Sequence, residues 1–96
     1  MADEKIYVGD IGTVFRINCN TDISDATLVQ ILIQKPDDET QEEWTGSVVD
    51  SNYIEYTTVD GDIDQVGNYY GMVYIETPAG KWHGEMFNFM VFDLFE

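Results

Sequence analysis

Short apolar runs, each bounded by turn residues, recur along the whole chain and constrain its fold more than any other feature. In the run Thr13–Cys19, Phe15 and Ile17 alternate with Arg16 and Asn18. Alternation with a period of two is typical of a half-buried β-strand. About seven such runs, spaced roughly 8–12 residues apart, indicate an all-β sandwich of antiparallel strands. The predicted strands are Lys5–Val8, Thr13–Cys19, Ala26–Lys35, Glu42–Asp50, Tyr53–Val59, Asn68–Glu76 and Lys81–Asp93.

One face of each run supplies the predicted core, and we expect residues 1–96 to form a single domain. The chain contains six Tyr, five Phe and two Trp residues, a composition unlike that of a disordered acidic tail. The predicted inward residues are Phe15, Ile17, Cys19, Val29, Ile31, Ile33, Trp44, Val48, Ile54, Tyr56, Tyr69, Val73, Ile75, Phe87, Phe89 and Val91.

The charge of the chain limits its partners. Nineteen acidic residues stand against four basic ones, and the formal net charge is -15. Nucleic-acid binding is not expected, because it depends on basic patches that displace counterions from phosphates. Binding to an anionic membrane is disfavoured for the same reason, and the chain lacks an apolar run of about 20 residues that could span a membrane. The N-terminal sequence has no signal-peptide pattern, and the lone Cys19 suits synthesis in a reducing cytoplasm.

No residue pattern predicts a catalytic site, a metal site or a cofactor. The acidic segment Asp60–Asp64 begins like an EF-hand loop, but Gln65 and Gly71 occupy positions where that motif needs other residues. We expect these acids to be solvated. His83 is the only histidine, and Cys19 is in phase with core residues, which favours a packed thiol over a nucleophile.

The last two predicted strands are apolar on both faces, which a small domain with one core does not require. Tyr70, Met72 and Tyr74 alternate with the inward residues of their strand. Tyr, Trp and Met are frequent at protein interfaces, so we predict a docking face. The alternative is that the N-terminal strand packs on this sheet and that Tyr7 covers part of it. The following strand is predicted to contribute Trp82, Met86, Met90 and Phe92 to the same face.

The segment "IDQVGNYYG" resembles the start of a strand in immunoglobulin domains, where an acid, Gly, Tyr and Cys stand at alternate positions. Gly67 and Tyr69 occupy the Gly and Tyr positions, whereas Gln65 replaces the acid and Gly71 replaces the Cys. The resemblance implies an immunoglobulin-like sandwich in which the Tyr hydroxyl bonds back to the preceding turn.

A longer resemblance covers nearly the whole chain. The ordered segments "YVGDIGT", "DISDATLVQILIQKPDDET" and "YIEYTTVDGDIDQVGNYY" are similar to the immunoglobulin-like N-terminal domain of the phage baseplate upper protein family. That family has a Gly-Ala-Thr opening and a Lys-Pro-Asp-Gly turn, where this chain has "ISDAT" and "KPDDET". These motifs mark turns and core positions, so they bear on fold more directly than on function.

The resemblance implies a non-enzymatic virion structural protein, made in the host cytoplasm, that contacts capsid, tail or baseplate proteins and possibly itself. Two alternatives remain open. One is an acidic inhibitor that mimics DNA, although its acids cluster in turns. The other is a carbohydrate-binding adhesion module that uses Tyr70, Tyr74 and Trp82 as stacking platforms.

Overall fold

The computed structural model describes residues 5–96, and every regular element in this part of the chain is a β-strand. Seven strands were expected, but eight are present, because one predicted strand is divided in two. The strands are β1 (Ile6–Tyr7), β2 (Val14–Asn18), β3 (Leu28–Gln34), β4 (Gln41–Thr45), β5 (Ser47–Val49), β6 (Tyr53–Thr57), β7 (Gly67–Thr77) and β8 (Gly80–Phe92).

The strands form two sheets in a β-sandwich-like arrangement. The larger sheet has five strands in the order β1-β8-β7-β3-β4, and the smaller has three in the order β2-β6-β5. All pairings are antiparallel except that of β1, which runs parallel to β8 with Ile6 opposite Val91. The all-β class predicted from the period-two pattern is therefore confirmed.

The inner faces of both sheets supply the core, as the alternation predicted. Ile31 on β3, Ile54 on β6 and Val91 on β8 are completely buried. Aromatic rings connect the two sheets: Phe15 on β2 lies 4.7 Å from the ring of Phe89 on β8. The Trp44 and Tyr56 rings stack across the core at 4.9 Å. Burying these rings removes much apolar surface from water, which is the main force that holds the two sheets together.

The predicted strand Glu42–Asp50 is wrong as a single element. The chain crosses from the larger sheet to the smaller one at Gly46, between β4 and β5. A Cβ atom on Gly46 would lie 2.7 Å from the carbonyl oxygen of Glu55, so only glycine fits this close backbone approach. Trp44 and Val48 both pack in or against the core, so their inward direction was predicted correctly.

Tyr69 is completely buried, and its hydroxyl oxygen accepts hydrogen bonds from two backbone N–H groups of the preceding turn. The donors are Asp64, at 3.2 Å, and Gln65, at 3.1 Å. The backward bond implied by the "IDQVGNYYG" segment is therefore present. It ties the entry into β7 to the β6–β7 loop and satisfies buried polar groups that would otherwise be costly.

We expect Gly71→Ala to destabilise the fold by about 1–3 kcal/mol, because it overpacks the interior. A Cβ atom on Gly71 would lie 2.4 Å from the ring of Phe87, which pairs directly with it across β7 and β8. Chemical denaturation measures the effect. Gly80→Ala in the same hairpin is the matched control, because its Cβ would meet only the edge of the Trp82 ring at 3.3 Å. Equal costs for both variants would contradict this account.

Candidate interaction face

The side of the five-stranded sheet that faces away from the core carries six of the seven residues predicted for a docking surface, all except Trp82. Five residues of β7 and β8 lie at its centre, and we call this group the outer face: Tyr70, Met72, Tyr74, Met86 and Met90. Met72 and Tyr74 are half-buried, whereas Tyr70 is 39%, Met86 62% and Met90 48% exposed. Met72 lies directly opposite Met86. On β7 the three residues follow one another at alternate positions, whereas on β8 Asn88 lies between Met86 and Met90.

Trp82 is not part of this face, which corrects the prediction. Met72 pairs with Met86, but Tyr74 pairs with His83, so β8 has one extra residue opposite Val73. Because of this β-bulge, the residues of β8 that precede it point to the side opposite to the one that regular alternation with Met86 predicts. Trp82 pairs with the inward Ile75 and is 51% exposed at the open flank between β8 and β2. A carbohydrate platform composed of Tyr70, Tyr74 and Trp82 would therefore have its aromatic rings on two opposite faces.

The N-terminal strand extends the sheet at its edge. Tyr7 pairs with Phe92, and their ring centroids are 6.4 Å apart. The Tyr7 hydroxyl donates a hydrogen bond to the backbone carbonyl of Glu96. Phe92 is thus half-covered beside β1, in agreement with the alternative that the N-terminal strand covers part of this surface. However, β1 lies alongside β8 in the sheet and not on top of it, so Met86 and Met90 remain exposed.

Sequence reasoning missed the contribution of β3, whose outward residues continue the face. Leu32 pairs with Met72, and Gln34 pairs with Tyr70. The side-chain Nε2 of Gln34 is buried and has no hydrogen-bond partner among the described residues, although its Oε1 accepts a bond from Gln41 at 2.7 Å. Buried donors are normally satisfied. The alternate residues of the predicted β3 strand were the signal that could have revealed this part of the face.

A second feature, the buried amine of Lys35, was also missed. Lys35 is 1% exposed, and its Nζ donates hydrogen bonds to Asp64 at 2.6 Å and to the Gly61 carbonyl at 3.0 Å. Glu42 lies 3.2 Å away. Burial alone lowers the pKa of Lys35, but the hydrogen bonds and charges of Asp64 and Glu42 outweigh it, so that the pKa lies above its ordinary value of 10.5.

One acid of the β6–β7 loop, Asp62, is buried, which corrects the expectation of solvated acids at that position, whereas Asp60 and Asp64 are exposed as expected. Asp62 is 8% exposed and accepts hydrogen bonds from the Tyr56 hydroxyl at 2.5 Å and from the Val59 N–H at 2.8 Å. Asp64 is paired with Lys35 although its side chain is 52% exposed, and Asp60 is exposed as well. Burial, followed by the hydrogen bond to Asp62, raises the pKa of Tyr56 well above its ordinary value of 10.0.

The β3–β4 turn is joined to the same loop. Asp37 accepts bonds from the Thr40 N–H at 2.8 Å and from the Gln65 side chain at 3.0 Å. The bonds from Thr40, Glu39 and Gln65 hold the pKa of Asp37 well below its usual range. Asp38, at the position of the glycine in a Lys-Pro-Asp-Gly motif, adopts a φ of 59°, a left-handed conformation that favours glycine.

Within residues 5–96, no acidic or basic side chain forms an ion pair with Cys19 or His83. Burial raises the pKa of Cys19, which keeps the thiol protonated at neutral pH. The His83 ring lies 5.1 Å from that of Tyr74. In residues 5–96, no cluster of three or more His, Cys, Asp or Glu side chains has the geometry to hold a metal ion.

Residues 5–96 contain no helix long and apolar enough to cross a membrane. Neither protein-family models nor curated proteins gave a match to this sequence.

Replacing Lys35 with Met should reduce the free energy of unfolding by about 1–3 kcal/mol, because it keeps the apolar stem but removes the donor that neutralises Asp64 and Glu42. Denaturant titration measures the loss. Arg16→Met is the matched control, since it breaks the exposed pair of Arg16 with Asp50, for which about 0–1 kcal/mol is expected. A Lys35→Met variant as stable as Arg16→Met would show that the buried amine is not a structural anchor.

Stability should fall as the pH rises above about 10. The pKa values of Lys35 and Tyr56 are both raised on folding, so the folded state holds these protons more tightly than the unfolded state. Their contribution is fully present below the unfolded pKa values of 10.0–10.5 and is lost as the pH rises through the folded values. We expect Tyr56→Phe to be less stable at pH 7 and to show a shallower alkaline decline, as measured by thermal unfolding at stepped pH. A decline of unchanged steepness would exclude Tyr56 as its source.

Proposed function

We propose that this chain is a structural protein of a phage virion, an immunoglobulin-like module that attaches to the capsid surface, the tail or the baseplate by protein–protein contacts and catalyses no reaction. The observation that carries the proposal is the outer face, a cluster of Tyr and Met side chains, interrupted on β8 by Asn88, on a sheet whose opposite face already closes the core. The word phage comes from the sequence resemblance.

The strand order supports an immunoglobulin-like fold. Immunoglobulin sandwiches place three or four strands against a second sheet built on strands C, F and G, and variable-type domains extend the second sheet with a further strand beside C. In this chain β3, β7 and β8 occupy the C, F and G places, β4 extends the sheet beside β3, and β2-β6-β5 faces them. The bonds from the turn to Tyr69 have the form of a tyrosine corner.

The composition of the outer face supports docking on another protein. Aromatic and Met side chains are enriched in the cores of protein interfaces, and charged residues are depleted there. Two side chains of the outer face, Met86 and Met90, are about half exposed or more, so docking would remove their apolar surface from water. A carbonyl group of the partner could also accept a hydrogen bond from the buried Nε2 of Gln34, which has no partner among the described residues.

The charge distribution supports a basic partner or a basic rim around the docking site. Two of the four cations are already engaged: Lys35 with Asp64, and Arg16 with Asp50. Few cations are therefore left to offset the acidic side chains on the surface. This negative charge speeds association with a basic surface and opposes uncontrolled aggregation.

Copy number on the particle tests the proposal. An immunoblot of gradient-purified phage particles, calibrated against the major capsid protein, should detect the chain. Hundreds of copies per particle indicate capsid decoration, and a small multiple of three or six indicates the tail or baseplate. Presence in infected cells with absence from purified particles would overturn the virion role and favour the acidic inhibitor.

Changes on the outer face should lower occupancy on the particle. We expect Tyr70→Ser combined with Met86→Ser to reduce the bound copies at least tenfold when the purified protein is added to particles that lack it, because loss of a central aromatic hot spot costs about 2 kcal/mol or more. Val14→Ser is the control, since Val14 is 55% exposed on the other sheet. Normal occupancy by the double variant would place the attachment surface elsewhere.

A further inference from the structure

A shallow groove of about 570 Å³ lies on the side of the five-stranded sheet that faces away from the core. One row of paired residues crosses it: Leu32 pairs with Glu43 on β4 and with Met72 on β7, which in turn pairs with Met86 on β8. Neighbouring strands lie about 4.8 Å apart, so the row is about 14 Å long. It is apolar from β8 to β3 and ends in a carboxylate on β4.

No cation of residues 5–96 forms an ion pair with this carboxylate, and Glu43 is exposed. The pKa of Tyr74 lies above its ordinary value of 10.0, first because its hydroxyl donates a hydrogen bond to Glu76, and also because of burial and the charges of Glu76 and Glu43. The negative charge of Glu43 therefore acts on the outer face. The four cations of the chain lie elsewhere: Arg16 beside Asp50, Lys35 in the core, Lys5 over the Phe92 ring and Lys81 opposite Glu76.

A second acceptor lies beside Glu43 on the same strand. Gln41 precedes it by two residues, so both side chains point to the same side of β4, and both are exposed. The Nε2 atom of Gln41 donates a hydrogen bond to Gln34 Oε1 at 2.7 Å, which leaves Oε1 of Gln41 as the acceptor of that amide. A carboxylate next to an amide oxygen suits the planar fork of N–H donors of a guanidinium group better than the compact ammonium group of lysine.

The apolar part of the row suits the stem of the same side chain. Arginine lays its methylene groups along apolar surface and keeps its charged head at polar groups. A stem that lies along Met72 and Leu32 points its guanidinium toward Glu43, because these residues follow one another across the strands. Tyr70 lies two residues from Met72 on the same side of β7 and is 39% exposed, so its ring can flank the cation.

We propose that this groove binds an arginine side chain of the protein on which the chain docks, with the guanidinium between Glu43 and Gln41 and the stem along Leu32 and Met72. This inference rests on the proposed function, because it names the chemistry of the partner at the outer face. The contact gives a strongly acidic chain one defined point of attraction, which sets the orientation of docking as well as its rate.

A short peptide tests the site without any particle. Acetyl-Gly-Arg-Gly-amide is titrated into the chain, and the methyl resonances of its methionines are followed by nuclear magnetic resonance. We expect saturable shifts at Met72 and Met86 and smaller ones at Met90, which lies two rows further along β8. The same peptide with citrulline in place of arginine has nearly the same shape but no charge, and it should bind at least about threefold more weakly.

Matched variants separate the site from general charge attraction. Glu43→Gln should weaken binding of the arginine peptide about threefold or more, since it removes the carboxylate that pairs with the guanidinium. Asp25→Asn removes one exposed acid in the β2–β3 loop and should have little effect. Equal weakening by both variants, equal binding of the citrulline peptide, or shifts that leave Met72 and Met86 unchanged would each overturn the arginine site.

Charge reversal in the particle assay separates this inference from the proposed function. Glu43→Lys should lower the number of bound copies about tenfold or more, because it replaces attraction to the arginine with like-charge repulsion. Asp25→Lys makes the same charge change in the β2–β3 loop and should keep normal occupancy. If Tyr70→Ser with Met86→Ser detaches the chain but Glu43→Lys does not, the attachment surface stands and the arginine contact is wrong. If both keep normal occupancy, the attachment surface itself is wrong.

Discussion

The buried amine of Lys35 is the interaction on which the loop end of the sandwich depends. One nitrogen atom joins the end of β3, the start of the β4 region and the β6–β7 loop, through Glu42, Asp64 and the Gly61 carbonyl. That loop in turn contributes the N–H groups that bind the Tyr69 hydroxyl, so the entry of β7 is fixed as well. A chain with a large excess of acids can fold compactly here because it places a scarce cation inside, where low dielectric strengthens each bond.

A single extra residue in β8 determines which surfaces the molecule presents. Because the bulge opposite Val73 shifts the ladder by one, the strand shows Met86 and Met90 on the outer face but turns Trp82 toward the flank. Without the bulge, Trp82 would join the outer face and the flank would lose its large aromatic. The bulge thus divides one run of apolar residues between two surfaces, one on the sheet face and the other along its open edge.

The sequence was informative wherever the period-two pattern was regular. Val29, Ile31 and Ile33 were placed correctly because the polar Gln30 and Gln34 mark the outward positions of their strand. The pattern carries no register, however, and Trp82 was assigned to the wrong face because a bulge is not visible in a run that is apolar on both sides. The break at Gly46 was missed because Trp44 and Val48 stay in phase across it. Lys35 was missed because its partners, Asp64 and Gly61, lie far along the chain, and no local pattern reports a long-range ion pair.

The parallel pairing of β1 with β8 has a mechanical consequence. β1 leaves the pair at Ile6 toward one end of the sheet, and β8 leaves it at Phe92 toward the other. A pulling force on the two ends of the described chain would load the bonds between these strands in shear, so that they must break together and not one after another. The short patch around Val91 and the Val8–Phe92 backbone bond therefore forms the first barrier that tension would meet before it reached the core.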